Sequence, residues 1–345
     1  MKRFPSSHLF SAELFPLFKK HFELCKVKKG EIVVIFKDAE FNEQYPAAAL
    51  AAARELGAEV LVMTVPTDTT TQALNSNKAI VNCWKSADMV IGMTSKVHWL
   101  YSDVHNEANN AGARTLMLGA PVEELIRLFP TEEVKRRSLN GAKLLTKGKI
   151  IRITSDAGTD LTMSKEGRPG SDQYGYTDTP GRWDHWPGGL VACAPLEGSA
   201  EGTMVINTGD ILLPLGRYVQ SPIKLTIREG KIVKFEGGFD SNLLKDFFEA
   251  AKEKNAYQVS HIGWGTHHMA RWDAMMLRFW EGGGAMDSEC YLGNMQIAFG
   301  SNFMKLMKGK NVCKFHFDIP TRNHSFYLDN QLIVDKGVIV PPDLK

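Results

Sequence analysis

An uninterrupted apolar run, Glu31-Ile32-Val33-Val34-Ile35-Phe36, has the pattern of a strand buried on both faces, and an amphipathic helical stretch over 11–25 leads into it. Polar and apolar positions then alternate between two periods. An alanine-rich helix is predicted over 44–56 with Gly57 as its stop, then a strand over 59–65, a helix over 71–85 and a strand over 88–93. A further helix over 102–111 closes at Gly112 before a strand over 114–118. Strand and helix in regular succession predict a parallel sheet with right-handed crossovers, an open α/β domain.

From Lys149 the texture changes to short strands separated by glycine and proline turns: 150–154, 160–163, 202–206, 211–215, 224–227 and 231–235. Arg228-Glu229-Gly230 between the last two reads as a hairpin turn. The charged helix predicted over 131–145, with Glu132 and Glu133 in its first turn, links the two textures. Helices are also expected over 242–253 and 268–281, the second carrying Met269, Trp272, Met276, Phe279 and Trp280 as a stripe that reads as core. The expectation is an α/β open-sheet domain over 1–135 and an α+β, mostly antiparallel, metal-binding catalytic domain over 136–345. Neither repeats nor low-complexity segments interrupt it.

Composition narrows the function. A chain of 345 residues with 43% hydrophobic content can bury a large core, and a net charge of +2 without a basic block points to no nucleic-acid and no membrane partner. Five widely spaced cysteines (Cys25, Cys83, Cys193, Cys290, Cys313) without a CxxC favour reduced thiols, and the first 21 residues lack the apolar core of a signal peptide, so a cytoplasmic protein is expected. The loop after the first strand, Lys37-Asp38-Ala39-Glu40-Phe41-Asn42, has acids where a pyrophosphate would need glycine amides, which argues against a nucleotide cofactor.

The candidate chemistry lies in the last quarter. In a strand, residues i and i+2 share a face, so His316 and Asp318 can converge on one ion while Phe315 and Phe317 pack behind them. His261, in Ser260-His261-Ile262-Gly263-Trp264-Gly265-Thr266-His267, would complete a facial triad of two imidazoles and a carboxylate, a set suited to non-haem Fe(II) and dioxygen. His267 and His268 compete for that first position. A strand-end His-x-Asp is also compatible with a solvated or mutually hydrogen-bonded pair.

Other motifs make the chain recognisable. Pro187-Gly188-Gly189, then Ala194-Pro195 and Glu201-Gly202-Thr203, with Gly263-Trp264-Gly265-Thr266 and Ile297-Ala298-Phe299-Gly300, resemble the aminopeptidase T (thermophilic metallopeptidase) family over most of the chain. The departures are as informative. Leu190 stands where that family has a metal-binding glutamate after PGG, His261 replaces another ligand glutamate, Gln296 replaces the histidine before IAxG, and Phe303 replaces a tyrosine; His316 and Asp318 are retained. A two-metal hydrolytic centre needs bridging carboxylates, so it cannot form here.

The surviving set is similar to that of the 2,5-dihydroxypyridine 5,6-dioxygenase family, built on the same scaffold. That resemblance implies Fe(II) held by His261, His316 and Asp318, a small aromatic substrate bound through a ring hydroxyl, dioxygen as co-substrate, and a homo-oligomer. It also implies a catalytic histidine in the first domain, His105, as acceptor of the hydroxyl proton; taken alone, His105 also reads as a surface residue in a first helical turn. His185 fits a substrate contact or a hydrogen-bonded structural histidine, and Trp183 and Trp264 fit stacking on a planar ring or core packing. Two other functions stay open at this point: a single-metal hydrolase with Zn²⁺ on the same ligands and Glu201 or Glu289 as base, and a metal-free scaffold.

Overall fold

The computed structural model describes residues 7–96, 99–278, 284–304 and 306–345. Two compact units divide the chain: Met1–Pro130 with Tyr174–Gly188, and Thr131–Gln173 with Gly189–Lys345. No helix among the described residues is long and apolar enough to cross a membrane.

The first unit is the α/β domain. It contains α1 (Ser7–Leu24), β1 (Ile32–Asp38), α2 (Gln44–Glu55), β2 (Glu59–Val65), α3 (Thr71–Ser76), α4 (Lys78–Ser86), β3 (Met89–Met93), α5 (Asp103–Ala111), β4 (Arg114–Leu118) and α6 (Val122–Arg127). The sheet runs β2-β1-β3-β4-β8, every described pair parallel, with β8 (Trp183–Trp186) as the fifth strand. Burial follows position: β1 and β3 are flanked on both sides, whereas β2 is an edge with Leu61 and Val62 exposed. The helix expected over 71–85 is two helices. Asn77 breaks it, because its side chain accepts from the Ala79 and Ile80 N–H groups and caps α4 instead of continuing α3. Gly112 ends α5 in the left-handed conformation at φ 103°.

β8 lies outside the antiparallel texture in which the sequence places it. Its anchor is Asp184, fully buried, whose carboxylate accepts from the backbone N–H groups of Tyr174, Gly175 and His185 and pairs with Arg182 at 2.6 Å. Those bonds turn residues 174–188 into part of the first unit.

The second unit is the α+β domain. After α7 (Glu132–Lys147) come β5 (Ile150–Ser155), β6 (Asp160–Ser164), β7 (Ser171–Gln173), β9 (Leu190–Cys193), β10 (Glu201–Ile206), β11 (Ile211–Leu212), β12 (Arg217–Tyr218), β13 (Ile223–Arg228) and β14 (Lys231–Gly237). Then follow α8 (Phe239–Ala250), β15 (Val259–Gly265), α9 (Ala274–Arg278), α10 (Ala285–Cys290), β16 (Met295–Gly300), β17 (His316–Thr321), β18 (His324–Leu328), β19 (Gln331–Asp335) and β20 (Val338–Ile339). Eight strands form one sheet in the order β14-β13-β10-β6-β5-β18-β19-β20, and five form a second, β17-β16-β15-β9-β7, with antiparallel pairing throughout the described strands of both. One apolar core joins their facing side chains, Ile151, Leu161 and Leu225 from the larger sheet and Ile262, Trp264, Ile297 and Ile319 from the smaller. The long helix expected over 268–281 is only the short α9 among the described residues. Trp272 is buried beside Ile211 and Met275, Met269 and Met276 are exposed, and Phe279 and Trp280 lie outside the described residues.

Candidate metal centre

The smaller sheet of the second unit places the candidate ligands by its pleat. Ile262 and Trp264 of β15, Ile297 and Phe299 of β16, and Phe317 and Ile319 of β17 all enter the core. The intervening residues His261, Gln296, Ala298, His316 and Asp318 therefore project from the other face. Phe317 packs at 5.2 Å from Phe247 of α8 and 5.6 Å from Phe248, so the predicted aromatic backing of His316-x-Asp318 is present. The register pairs Ala298 with Asp318 and Gly300 with His316, while the β15–β16 pairing shifts between Val259 and Ile262. That irregularity falls on His261, where a bulge can re-aim a side chain.

Small residues let the strands close. A Cβ on Gly263 would stand 1.8 Å from the Val191 carbonyl oxygen and 2.8 Å from Ala192 Cα. Glycine is required there by the approach of β9, not by backbone conformation.

His261, His316 and Asp318 converge: one ligand atom from each lies within 4.8 Å of the others. His261 Nε2 is 3.2 Å from Asp318 Oδ1, His316 Nε2 is 3.2 Å from Asp318 Oδ2, and the two Nε2 atoms are 3.3 Å apart. His316 Nδ1–H donates to the Ser301 carbonyl at 2.9 Å, which leaves Nε2 as the lone pair aimed inward, and Ser260 Oγ–H donates to the same carbonyl at 2.7 Å. His261 Nδ1 is buried with no hydrogen-bond partner among the described residues.

Electrostatics point to a cation. Burial works against ionisation of Asp318, but His316 and His261 outweigh it and hold the carboxyl well below the usual carboxylate range. Burial also disfavours charge on both imidazoles. It prevails at His261, whose pKa falls, whereas Asp318 prevails at His316, whose pKa rises. The donor set of two imidazoles and one carboxylate fits a metal with open positions on its far side.

His267 and His268, the competitors for the first ligand place, are outside this cluster. His267 Nδ1 accepts from the Met269 N–H at 3.2 Å, and His268 Nδ1 accepts from Arg137 at 3.1 Å. Trp264 corrects one expectation. Two residues beyond Ile262 on the same face, it packs on Phe326 with ring centroids 5.0 Å apart and is turned away from the ligand face, so it is a core residue and not a stacking platform.

The other candidates gather in the first unit. Trp183 of β8 lies with its ring centroid 6.2 Å from His105 and 5.7 Å from His185. His105, far from being a surface residue of the first turn of α5, is buried. Its Nδ1–H donates to the Leu100 carbonyl at 2.7 Å, and Nε2 accepts from Asn109 Nδ2–H at 2.9 Å and lies 2.9 Å from the Thr115 hydroxyl. Burial lowers its pKa to about 4, so the ring is neutral. His185 Nδ1–H donates to the Pro187 carbonyl, and the Trp183 indole N–H is buried without a partner among the described residues.

Two side chains beside the triad have no ligand or contact role in the sequence reading. Gln296 stands on the ligand face with Nε2 3.3 Å from Asp318 Oδ1, and Glu289 hydrogen-bonds Gln296. The alternation Gln296-Ile297-Ala298-Phe299 carries the signal for Gln296. Glu289, offered by the sequence only as an alternative base to Glu201, reaches Gln296 from α10.

Comparison with known proteins gives the family. Residues 13–341 match the family described as NicX, 2,5-dihydroxypyridine 5,6-dioxygenase. The 2,5-dihydroxypyridine 5,6-dioxygenase of Pseudomonas putida is 34% identical over 346 residues, covering 96% of this chain and 97% of that protein. The solved structure of 2,5-dihydroxypyridine dioxygenase from Pseudomonas putida KT2440 superposes with a TM-score of 0.92 at 33% identity, covering 99% of this chain and 100% of the other. Wild-type AmpT from Thermus thermophilus, at 13% identity and a TM-score of 0.58 over 96% of this chain and 100% of its own, shares the fold. The chain belongs to the 2,5-dihydroxypyridine 5,6-dioxygenase family of ring-cleaving dioxygenases, enzymes with a metal cofactor, on the aminopeptidase T fold.

Proposed function

We propose that this protein is an Fe(II)-dependent dioxygenase that opens 2,5-dihydroxypyridine between its ring carbons 5 and 6, adding both atoms of dioxygen to give N-formylmaleamate. The observation that carries the reading is the convergence of His261, His316 and Asp318 on one point, in a chain 34% identical to a protein with that activity. When bound, the ion supplies a Lewis-acidic, oxygen-activating centre with positions for a ring hydroxyl and dioxygen.

The protein's own part is to hold that centre and manage a proton. His316 keeps its donor lone pair inward through the bond to Ser301. His105 is the proposed acceptor of the substrate hydroxyl proton. Its Nδ1 proton is pinned by the Leu100 carbonyl, so Nε2 is the basic nitrogen, and protonation requires the Asn109 amide to turn away. Trp183 and His185 are proposed as substrate contacts because they share a cluster with His105. Five free cysteines favour a reducing compartment, the cytoplasm, and a homo-oligomer is proposed as the working form.

The test is anaerobic reconstitution with Fe(II), followed by oxygen uptake and loss of near-ultraviolet absorbance on adding 2,5-dihydroxypyridine. Absence of uptake, together with hydrolysis of aminoacyl amides in Zn²⁺ or Co²⁺, would sink the proposal.

A further inference from the structure

Gln296 occupies the place of a metal-binding histidine in the aminopeptidase T pattern, and the loss of that ligand does not say why the replacement is a glutamine. The side chain is buried, and β16 holds it in register between Gly263 of β15 and Pro320 of β17. A buried carboxamide has two N–H groups that need acceptors. Nε2–H has Asp318 Oδ1 at 3.3 Å. The second partner is the side chain of Glu289, next to last in α10.

Glu289 is itself fixed in place. Asn294 Nδ2–H donates to the carbonyls of Ser288 and Glu289 at 2.6 and 3.2 Å, and Asn294 Oδ1 accepts from the Gly265 N–H at 2.6 Å, tying the end of α10 to β15. The amide nitrogen carries two N–H groups, and the Gln296 bond lowers the Glu289 pKa, as a donated N–H does, so one N–H serves Asp318 and the other Glu289. Burial and the nearby Asp318 charge raise the Glu289 pKa above the usual carboxyl range, and the Gln296 bond opposes them.

We infer that Gln296 is a positioning residue for the metal centre: clamped by the Glu289 carboxyl, its amide holds the Asp318 carboxylate facing the Nε2 atoms of His261 and His316. The inference rests on the metal reading of the triad. It assigns the lost second-metal position a new use, a hydrogen-bonded support of the kind that orients a ligating carboxylate.

The experiment measures Fe(II) affinity by anaerobic competition with a chelating dye, and the visible absorption spectrum with Co²⁺ as a geometry probe, on wild type, Gln296→Met, Glu289→Gln and His316→Ala. Gln296→Met keeps the volume and removes the donor; it should weaken Fe(II) binding about 10- to 100-fold and change the Co²⁺ bands. Glu289→Gln keeps a side-chain oxygen to accept from Gln296 and should stay within about threefold of wild type, on the same scale of ligand-support effects. If Gln296→Met melts early, Glu289→Leu carries the test with a loss of the same size expected. Wild-type affinity and spectrum in Gln296→Met, or in Glu289→Leu when it stands in, would overturn the inference, and a Glu289→Gln loss as large as that of Gln296→Met would overturn the hydrogen-bond role given to Glu289. Wild type binding Fe(II) no better than His316→Ala would instead overturn the metal reading and the inference with it.

Discussion

Acidification should destabilise the first unit through two imidazoles that are buried neutral, His21 and His105. His21 is fully buried, donates Nε2–H to the Gly175 carbonyl at 2.7 Å and stacks on Trp186 with ring centroids 3.9 Å apart. Desolvation lowers its pKa to about 3 and that of His105 to about 4. In the unfolded chain both return to about 6.5, so at lower pH the unfolded state binds the extra protons and stability falls; above that value the contribution is complete. A pH of about 5 lies about 1.5 units below the unfolded pKa of each histidine and still above its folded one, which is a loss of about 2 kcal/mol each and about 4 kcal/mol together. Urea unfolding followed by tryptophan fluorescence at about pH 7.5 and about pH 5 reads the difference, and His21→Gln or His105→Gln should each remove about half of it. Imidazole C–H resonances followed by NMR report the titrations directly. A single variant that kept the whole wild-type loss, or a His105 titration at or above about 6.5, would refute the burial argument.

Other outcomes follow from the same geometry. His316→Ala and Asp318→Ala should abolish Fe(II) binding in an anaerobic metal titration, whereas His105→Gln should spare binding and slow turnover; equal loss of metal in all three would contradict the assigned roles. Gly263→Ala forces a Cβ to within 1.8 Å of the Val191 carbonyl oxygen. Its cost should be at least about 3 kcal/mol in chemical denaturation, because the clash is with backbone held in a ladder. Lys165 is fully buried and donates to the carbonyls of Leu145 at 2.5 Å and Gly148 at 2.9 Å at the end of α7. Lys165→Met leaves those acceptors without the ammonium and should cost about 2–4 kcal/mol by the same measurement.

The sequence by itself determined what depends on local period and residue chemistry. The apolar run before Lys37, the stops at Gly57 and Gly112, and the hairpin around Glu229 and Gly230 are legible because a buried parallel strand, a left-handed helix end and a tight turn each demand particular residues. His316 and Asp318 were legible for the same reason, since period two alone puts them on one face. Motif order supplied the family and singled out His261 over His267.

Tertiary structure decided what distant segments do to one another. Asn77 reads as an ordinary helical residue until its side chain is seen to cap α4. Trp183 and His185 fall among the short antiparallel strands by sequence, yet the bonds to Asp184 build them into a strand of the parallel sheet. Trp264 is two residues from Ile262 and three from His261, and only the position of the core shows that an odd spacing turns it away from the ligands. His105 became a buried, tautomer-fixed imidazole through Leu100, Asn109 and Thr115, and Glu289 came to Gln296 from another element altogether. The physical reason is common to all of these: spacing along a strand fixes which face a side chain takes, while its partners and protonation state are fixed by what the fold packs against that face.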